Sequence, residues 1–343
     1  MQFIKPDINI DFIGKRNLAF ILSGLMILIS IISLVVHKGP RYGIDFAGGT
    51  LIQVKFHQPV EINAIKKGLA SINMETASVQ VFGDRQDNEF LIRTDKSTAK
   101  ADSLSTDIAK ALQSATGQEV EIRRVEMVGP QVGKDLREKA LFAIFFSLLF
   151  ITIYISGRFE LKWLLSGVVA AALMGAVYLL SLFHVSVPIL IMAALIISLV
   201  IFWILGLKYA MGAIVALIHD VTITIGIFSI FNKEFSLPII AALLTIIGYS
   251  LNDTIIVFDR IRENLRRYRK NTLDVILNRS INETLSRTIL TSLTTLMVVL
   301  ALFIYGGGII HDFAFALLVG IVVGTYSSIY VASPILLAWQ RKK

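Results

Sequence analysis

Long apolar runs separated by polar breaks organise the chain, at 18–36, 138–156, 163–183, 187–207, 209–231, 237–258, 286–305 and 312–338. Each approaches or exceeds the roughly 20 apolar residues that carry an α-helix across a bilayer. The pattern predicts a polytopic α-helical membrane protein of about eight spans. The first run, "NLAFILSGLMILISIISLVV" behind Lys15 and Arg16, opens like a signal peptide. It is too long for one and shows no cleavage site, so it reads as a retained anchor. The polar breaks are short except for two, 37–137 and 259–285.

Within 37–137 the period of the pattern changes. "TLIQVKF" (50–56) alternates as a half-buried strand does, and "EINAIKKGLASI" (61–72) spaces Ile62, Ile65, Leu69 and Ile72 at helical intervals. "ASVQVF" and "EFLIRT" are two more strands, joined by the turn "GDRQDN" (83–88). "DSLSTDIAKALQSA" is a helix with Leu104, Ile108 and Leu112 on one face, and "QEVEIRRVEMVG" a final strand. The order βαββαβ predicts one α+β domain of the ferredoxin-like type. Gly43, Asp45, Gly48 and Gly49, just before its first strand, read as a tight turn with glycine where φ is unusual.

Composition agrees with a membrane protein: 55% of residues are hydrophobic and the mean hydropathy is +0.71. Cysteine is absent, which excludes disulfides and thiolate metal sites. The net charge of +8 matters through its placement. Lys5, Lys15 and Arg16 precede the first span; Arg158, Lys162 and Lys208 lie in short loops. Arg260, Arg262, Arg266, Arg267, Arg269, Lys270 and Arg279 follow the sixth span, and Arg341, Lys342 and Lys343 end the chain. With eight spans all fall on one side, the cytoplasm by the positive-inside rule. Residues 1–17 and 339–343 are then cytoplasmic and 37–137 periplasmic, with five spans in 138–258 and two in 286–338. The basic segment 259–285 carries Ile261, Leu265, Leu273 and Ile276, which predicts an amphipathic helix at the cytoplasmic interface against membrane lipid. Topology accounts for its charge, so nucleic acid is not expected. The small residues Gly167, Ala171 and Gly175, and Gly320 with Gly324, predict helix-packing faces.

Ionisable residues inside spans are expensive and mark function by default. Asp253, beside Asn252 in "GYSLNDTIIVFDRIREN", lies ~8 Å inside its span by count, and Asp220, beside His219, ~18 Å. Thr245, Tyr249, Asn252 and Asp253 share one helical arc, and Arg287, Thr291 and Thr294 share another on the following span. Asp253 and Arg287 are either an ion pair that fixes helix packing or part of a proton or ion relay or substrate contact. Asp220 is a second relay point or a brace. No nucleophile–base pair, metal cluster or phosphate loop stands out, so neither enzyme activity nor a cofactor or metal is expected.

The motifs "YGIDFAGGTLIQVKF", "MVGPQVGKDLREKAL", "GAIVALIHDVTITIG", "AALLTIIGYSLNDTIIVFDRIREN" and "SRTILTSLTTLMVVLAL", in this order, resemble the SecD/SecF family of protein-export membrane proteins, within the resistance-nodulation-division superfamily. The resemblance implies a bacterial inner-membrane subunit of the Sec translocase that acts with SecD to drive preprotein export by the proton-motive force. It implies the SecYEG channel, the translocating preprotein and, in the wider assembly, YajC and YidC as partners. It places Asp253 and Arg287 in the proton path and gives Asp45, Gly48 and Gly49 a structural motif. About fifty residues, roughly 158–207, depart from the family's six-span pattern and supply an extra helix pair. Two other readings stay open: half of a proton-coupled exporter of lipids or drugs, and a passive translocon scaffold.

Overall fold

A computed structural model describes residues 8–82, 87–94, 101–181 and 187–340. Most of the expected turn at 83–88, the basic residues Lys5 and 341–343, and part of the loop before 187 lie outside the described residues. In chain order, α1 (Arg16–Val36) leads through β1 (Arg41–Tyr42) and the one-turn α2 (Ile44–Ala47) into β2 (Gly49–Phe56). Then come α3 (Ile62–Ala70), β3 (Ser78–Phe82), β4 (Glu89–Thr94), α4 (Ala101–Thr116) and β5 (Val120–Val128). The bundle continues with α5 (Pro130–Glu160), α6 (Trp163–Ser181), α7 (Val187–Leu205), α8 (Lys208–Ile230), β6 (Glu234–Phe235), α9 (Leu237–Arg267) and α10 (Leu273–Tyr305). It closes with α11 (Gly307–Ser327), a π-helical turn (Ser328–Ala332) and α12 (Ser333–Gln340). Among the described residues eight helical segments are long and apolar enough to cross a membrane, which makes this a multi-pass membrane protein.

The outer domain is the ferredoxin-like fold that the pattern predicts. Its sheet runs β3-β4-β2-β5, every neighbour antiparallel. Ile52, Val54 and Phe56 of β2 and Phe90 and Ile92 of β4 bury one face under α3 and α4, where Ile65, Leu69, Ile108 and Leu112 complete the core. Alternation sends Leu51, Gln53 and Lys55 to the other face. There Gln80, Leu91, Gln53 and Arg124 form one cross-strand row.

The outer domain and the N-terminal stretch meet opposite ends of the bundle. β1 pairs in parallel with β6, in the loop between α8 and α9. Glu234 of that loop takes ion pairs from Arg41, at 3.4 Å, and from Arg93 of β4. At the other end the amides of Asn278 and Asn282 grip the backbone of residues 10–13, with Phe12 N and Ile10 N each donating at 2.8 Å. Phe12 and Ile13 enter the core formed by Tyr209, Phe258, Leu277 and Ile281.

Three expectations need correction. The segment 259–285 is not a separate interfacial helix. α9 runs unbroken to Arg267 and α10 starts at Leu273, so the charges decorate two spans that continue past the apolar zone. Their inward faces stay apolar enough to pack, through Ile261, Ile276 and Leu277. α5 likewise begins eight residues before its apolar run, because Pro130 at its first turn and the polar residues after it continue the helix. The Gly167–Ala171–Gly175 face of α6 has open space over both glycines. α6 instead buries Ser166, Ala170, Leu173 and Val177, the stripe one residue round. Gly320 and Gly324 do serve as expected, letting α11 approach Ile246 and Ser250 of α9.

The extra pair α6–α7 is an annex. It packs on α5 through Phe145, Leu149, Leu173, Leu190 and Ile191. α5 keeps its own contact with α8 and α9 through Leu148, Leu217 and Ile247.

The seam between outer domain and bundle depends on Gly48. Its φ is +77°, and a Cβ there would stand 2.8 Å from Pro130 Cα. Gly48→Ala is expected to destabilise the protein by about 1–3 kcal/mol. Gly24→Ala, with open space around it, is the control. Thermal unfolding of the purified chain in detergent checks this, and equal melting temperatures for the two variants would refute it.

Candidate functional site

α9 carries Asp253 into the bundle because Ile246, Ser250, Asp253 and Val257 share the stripe that faces α10 and α11. The carboxylate is 1% exposed. Its Oδ2 lies 3.5 Å from Ser292 Oγ of α10, a contact at the limit of a hydrogen bond. Its Oδ1 is buried with no hydrogen-bond partner among the described residues, as are the hydroxyls of Tyr249 and Thr288. Ser292 Oγ lies 2.7 Å from Thr325 Oγ1 of α11, which donates to the carbonyl of Ile321. Three helices thus converge on a carboxyl group that none of them fully satisfies.

The ion-pair reading of Asp253 and Arg287 does not match this geometry. Arg287 faces outward and forms no ion pair among the described residues. Arg287 and Asn252 line one cavity of about 530 Å³ between α5, α9 and α10, together with Tyr154, Arg158 and Asp259. Arg158 and Asp259 are joined there by a 2.7 Å ion pair. The expected hydroxyl stripe is also displaced. Thr291 and Thr294 donate to carbonyls of their own helix, at 2.9 Å each. Ser292 is the hydroxyl in contact with the carboxylate, one position round from Thr291, and Thr325 of α11 is bonded to it in turn.

Asp220 is the opposite case. It is 0% exposed and fully engaged. Oδ1 pairs with His219 Nδ1 at 2.9 Å, while Oδ2 accepts from Ser250 Oγ of α9 at 2.5 Å and Ser327 Oγ of α11 at 2.8 Å. Ser250 is one turn from Asp253, and Ser327 is two residues from Thr325. Asp220 therefore joins α8, α9 and α11 one layer away from Asp253, as a brace does. Sequence reasoning passed over Ser250, Ser292, Thr325 and Ser327. A serine or threonine in a span can bond its own helix, so its type alone carries little signal.

The glycine segment lies at the outer end of the same helix. Asp45 is not only part of a turn: its Oδ2 accepts from the backbone N–H of Leu237, the first residue of α9, at 2.8 Å. Gly43 N donates to Phe235 O at 2.6 Å, and a Cβ on Gly43 would stand 3.0 Å from that oxygen. Gly48 and Gly49 take positive φ, and Gly133 of α5 packs on Phe46 and Gly48.

Comparison with known proteins gives consistent matches. Residues 108–197 and 181–342 match the C-terminal family model of the protein export membrane protein SecD/SecF. Residues 33–60, which contain Gly48 and Gly49, match the SecD/SecF GG motif. The chain is 42% identical over 337 residues to the protein translocase subunit SecF of Calditerrivibrio nitroreducens, covering 97% of this chain and 95% of that protein. It is 42% identical over 336 residues to that of Vibrio alginolyticus, covering 98% and 91%. The crystal structure of SecDF, a translocon-associated membrane protein from Thermus, superposes with a TM-score of 0.75 at 33% identity. That match covers 99% of this chain and 40% of the SecDF chain. SecDF in its super-membrane-facing form gives 0.62, at 33% identity and the same 40%. This chain thus spans well under half of the solved SecDF chains.

The shared oxygen of Asp220 makes its two serine bonds interdependent. Ser250→Ala and Ser327→Ala are each expected to cost about 1–2 kcal/mol, and the double variant less than their sum. A double-mutant cycle on thermal unfolding in detergent tests this; strict additivity would mean that the serines do not share the carboxylate.

Proposed function

We propose a function for this chain from the family to which it belongs, the SecD/SecF protein-export membrane proteins. It is an accessory subunit of the Sec protein translocase. Its place is the bacterial inner membrane, with both termini cytoplasmic and the outer domain periplasmic, as the distribution of basic residues supports. It acts with a SecD-type partner that supplies the part of the SecDF chain this one does not span. The pair works beside SecYEG on a translocating preprotein, with YajC and YidC in the wider assembly. The energy source is the proton-motive force.

The observation that carries this reading is the under-bonded carboxyl of Asp253, buried with one oxygen unpartnered among the described residues. Hydrocarbon surroundings disfavour the ionised form, whereas a nearby guanidinium favours it. Arg287 stands out in the cavity and is not ion-paired with Asp253 among the described residues. A conformational change that brings Arg287 or water to Asp253 favours the carboxylate and releases the proton. Asn252 and Arg287 line the cavity, and the proton passes between that cavity and the carboxyl. Asp220, already saturated by its partners, braces the bundle while Asp253 titrates. On the outer side, the open sheet face around Gln80, Leu91 and Gln53 takes the extended preprotein by side-chain contact, and the sheet edge by strand addition.

Asp253→Asn keeps the shape of the side chain but removes its titration. The variant should associate with the SecD-type partner at the wild-type level. Its export rate should drop to the rate measured with the gradient collapsed. Export that still responds fully to the gradient would leave Asp253 as a packing residue. Photocrosslinkers at Gln53 and Gln80 should trap an arrested preprotein in inverted membrane vesicles, and labelling confined to the linkers at 37–40 would exclude the sheet. Arg93 shares this face but is occupied by Glu234, so a crosslinker there should give the weaker signal.

A further inference from the structure

The segment from Gly43 to Gly49 is fastened on both sides. Toward the bundle, Asp45 caps α9 through Leu237 N–H at 2.8 Å, and Gly43 N–H bonds Phe235 O at 2.6 Å. Phe46 is buried with Phe228, Phe235 and Ile239. Toward the outer domain, Gly49 is the first residue of β2, the strand paired on both edges at the centre of the sheet. Only Phe46, Ala47 and Gly48 separate Asp45 from that strand.

α9 is one uninterrupted helix from Leu237 past Asp253 to Arg267. Sixteen residues of α-helix, ~24 Å, separate the capped N–H from the carboxyl. A straight helix transmits displacement along its axis. A shift of α9 at Asp253 therefore arrives at Leu237, where the carboxylate of Asp45 holds the free N–H that a helix start exposes. Capping normally comes from the residue just before the helix. Here the adjacent Ser236 makes no side-chain cap, and the cap comes from 192 residues earlier in the chain.

We propose that Asp45 is a positioning residue that couples α9 to the central strand of the outer sheet, so that a change of state at Asp253 moves the outer domain. This rests on the reading of Asp253 as the proton carrier. The ion pairs of Glu234 with Arg41 and Arg93 hold the outer domain against the same loop but do not touch the helix. Removing Asp45 should leave the domain attached and uncouple it.

The chain has no cysteine, so labels can be placed freely. The full chain, with its SecD-type partner in liposomes, carries spin labels at Gln80→Cys and at Tyr305→Cys, an exposed site at the outer end of α10. The inter-label distance is measured by pulsed electron resonance at acid and alkaline pH. In parallel, dicyclohexylcarbodiimide labelling of Asp253, which needs the protonated carboxyl, is followed against pH by mass spectrometry. In the Asp45 wild type, distance and labelling should change together. Asp45→Ala should keep the labelling profile and lose the distance change, and Asp45→Asn, which keeps an acceptor oxygen, should restore it. Leu237→Pro is the complementary variant. It deletes the donor N–H at a position where proline starts helices well, and should lose the distance change while Asp45 is intact. A distance change that persists in both Asp45→Ala and Leu237→Pro overturns the coupling. So does a wild-type distance that ignores pH while Asp253 labelling follows it. Labelling without pH dependence in the wild type would instead bring down the proton-carrier reading, and the coupling with it.

Discussion

A carboxylate in hydrocarbon must find hydrogen-bond donors, find a cation, or give up its charge. The bundle answers this requirement in two different ways within two neighbouring layers. Asp220 is given three donors from three helices, and α8, α9 and α11 are held at the spacing those bonds demand. Asp253, one turn further along α9, is given one long contact and, among the described residues, an unpartnered oxygen. The same helices serve both, so the saturated site fixes the geometry in which the other stays unsatisfied. Small residues make this possible. Gly320 and Gly324 bring α11 close against Ile246 and Ser250 of α9, and Ser250 and Ser327 then reach the same oxygen of Asp220 on α8.

Much of the architecture is legible in the sequence because it depends on long-range averages. Spans follow from apolar run length, and the outer domain from its change of period, and both are present. Ile65, Leu69, Ile108 and Leu112 face the core as their spacing requires. Asp253 and Asp220 stand out because charge is rare in apolar runs. The rest depends on helix rotation and on contacts between distant segments, which periodicity does not encode. The stripe around Arg287 is misplaced by one residue, so Ser292 rather than Thr291 faces Asp253. The cap on α9 was invisible because its two partners are far apart in the chain, and Asp45 beside glycines resembles an ordinary turn. Helix ends were missed where polar residues continue a span, as at Pro130 and Arg267, since apolar content reports the membrane and not the helix.

The extra pair α6–α7 shows how such a bundle tolerates insertion. Two added spans return the chain to the side it left, so the sidedness of everything downstream is kept. They pack on α5 and leave its contacts with α8 and α9 in place. Lys162, at the start of the pair, donates to the carbonyl of Leu205 at its end at 3.0 Å, which closes the insert on itself. Phe202 of α7 also joins the core with Tyr209 and Phe258, while the hydrogen bonds at Asp253 and Asp220 come from α8, α9, α10 and α11 alone.

The π turn at Ser328–Ala332 has a consequence for phase. One residue more than an α-helix would use is taken up in the turn there, so the residues downstream fall behind the ~100° per residue that a continuous α-helix would give them. Ser333 Oγ reaches back to Ser328 O at 3.0 Å across the widened turn. The Ala332 carbonyl lies against Gly212 of α8, where a Cβ would come within 2.9 Å. Without the extra residue, the polar side chains of α11 would still meet Asp220 and Ser292. Leu336 of α12, however, would rotate out of the core it shares with Phe258 and Leu277. The widened turn lets one span present a polar face beside Asp220 and Ser292 and an apolar face at its C-terminal end, though the two lie at different angles on the cylinder.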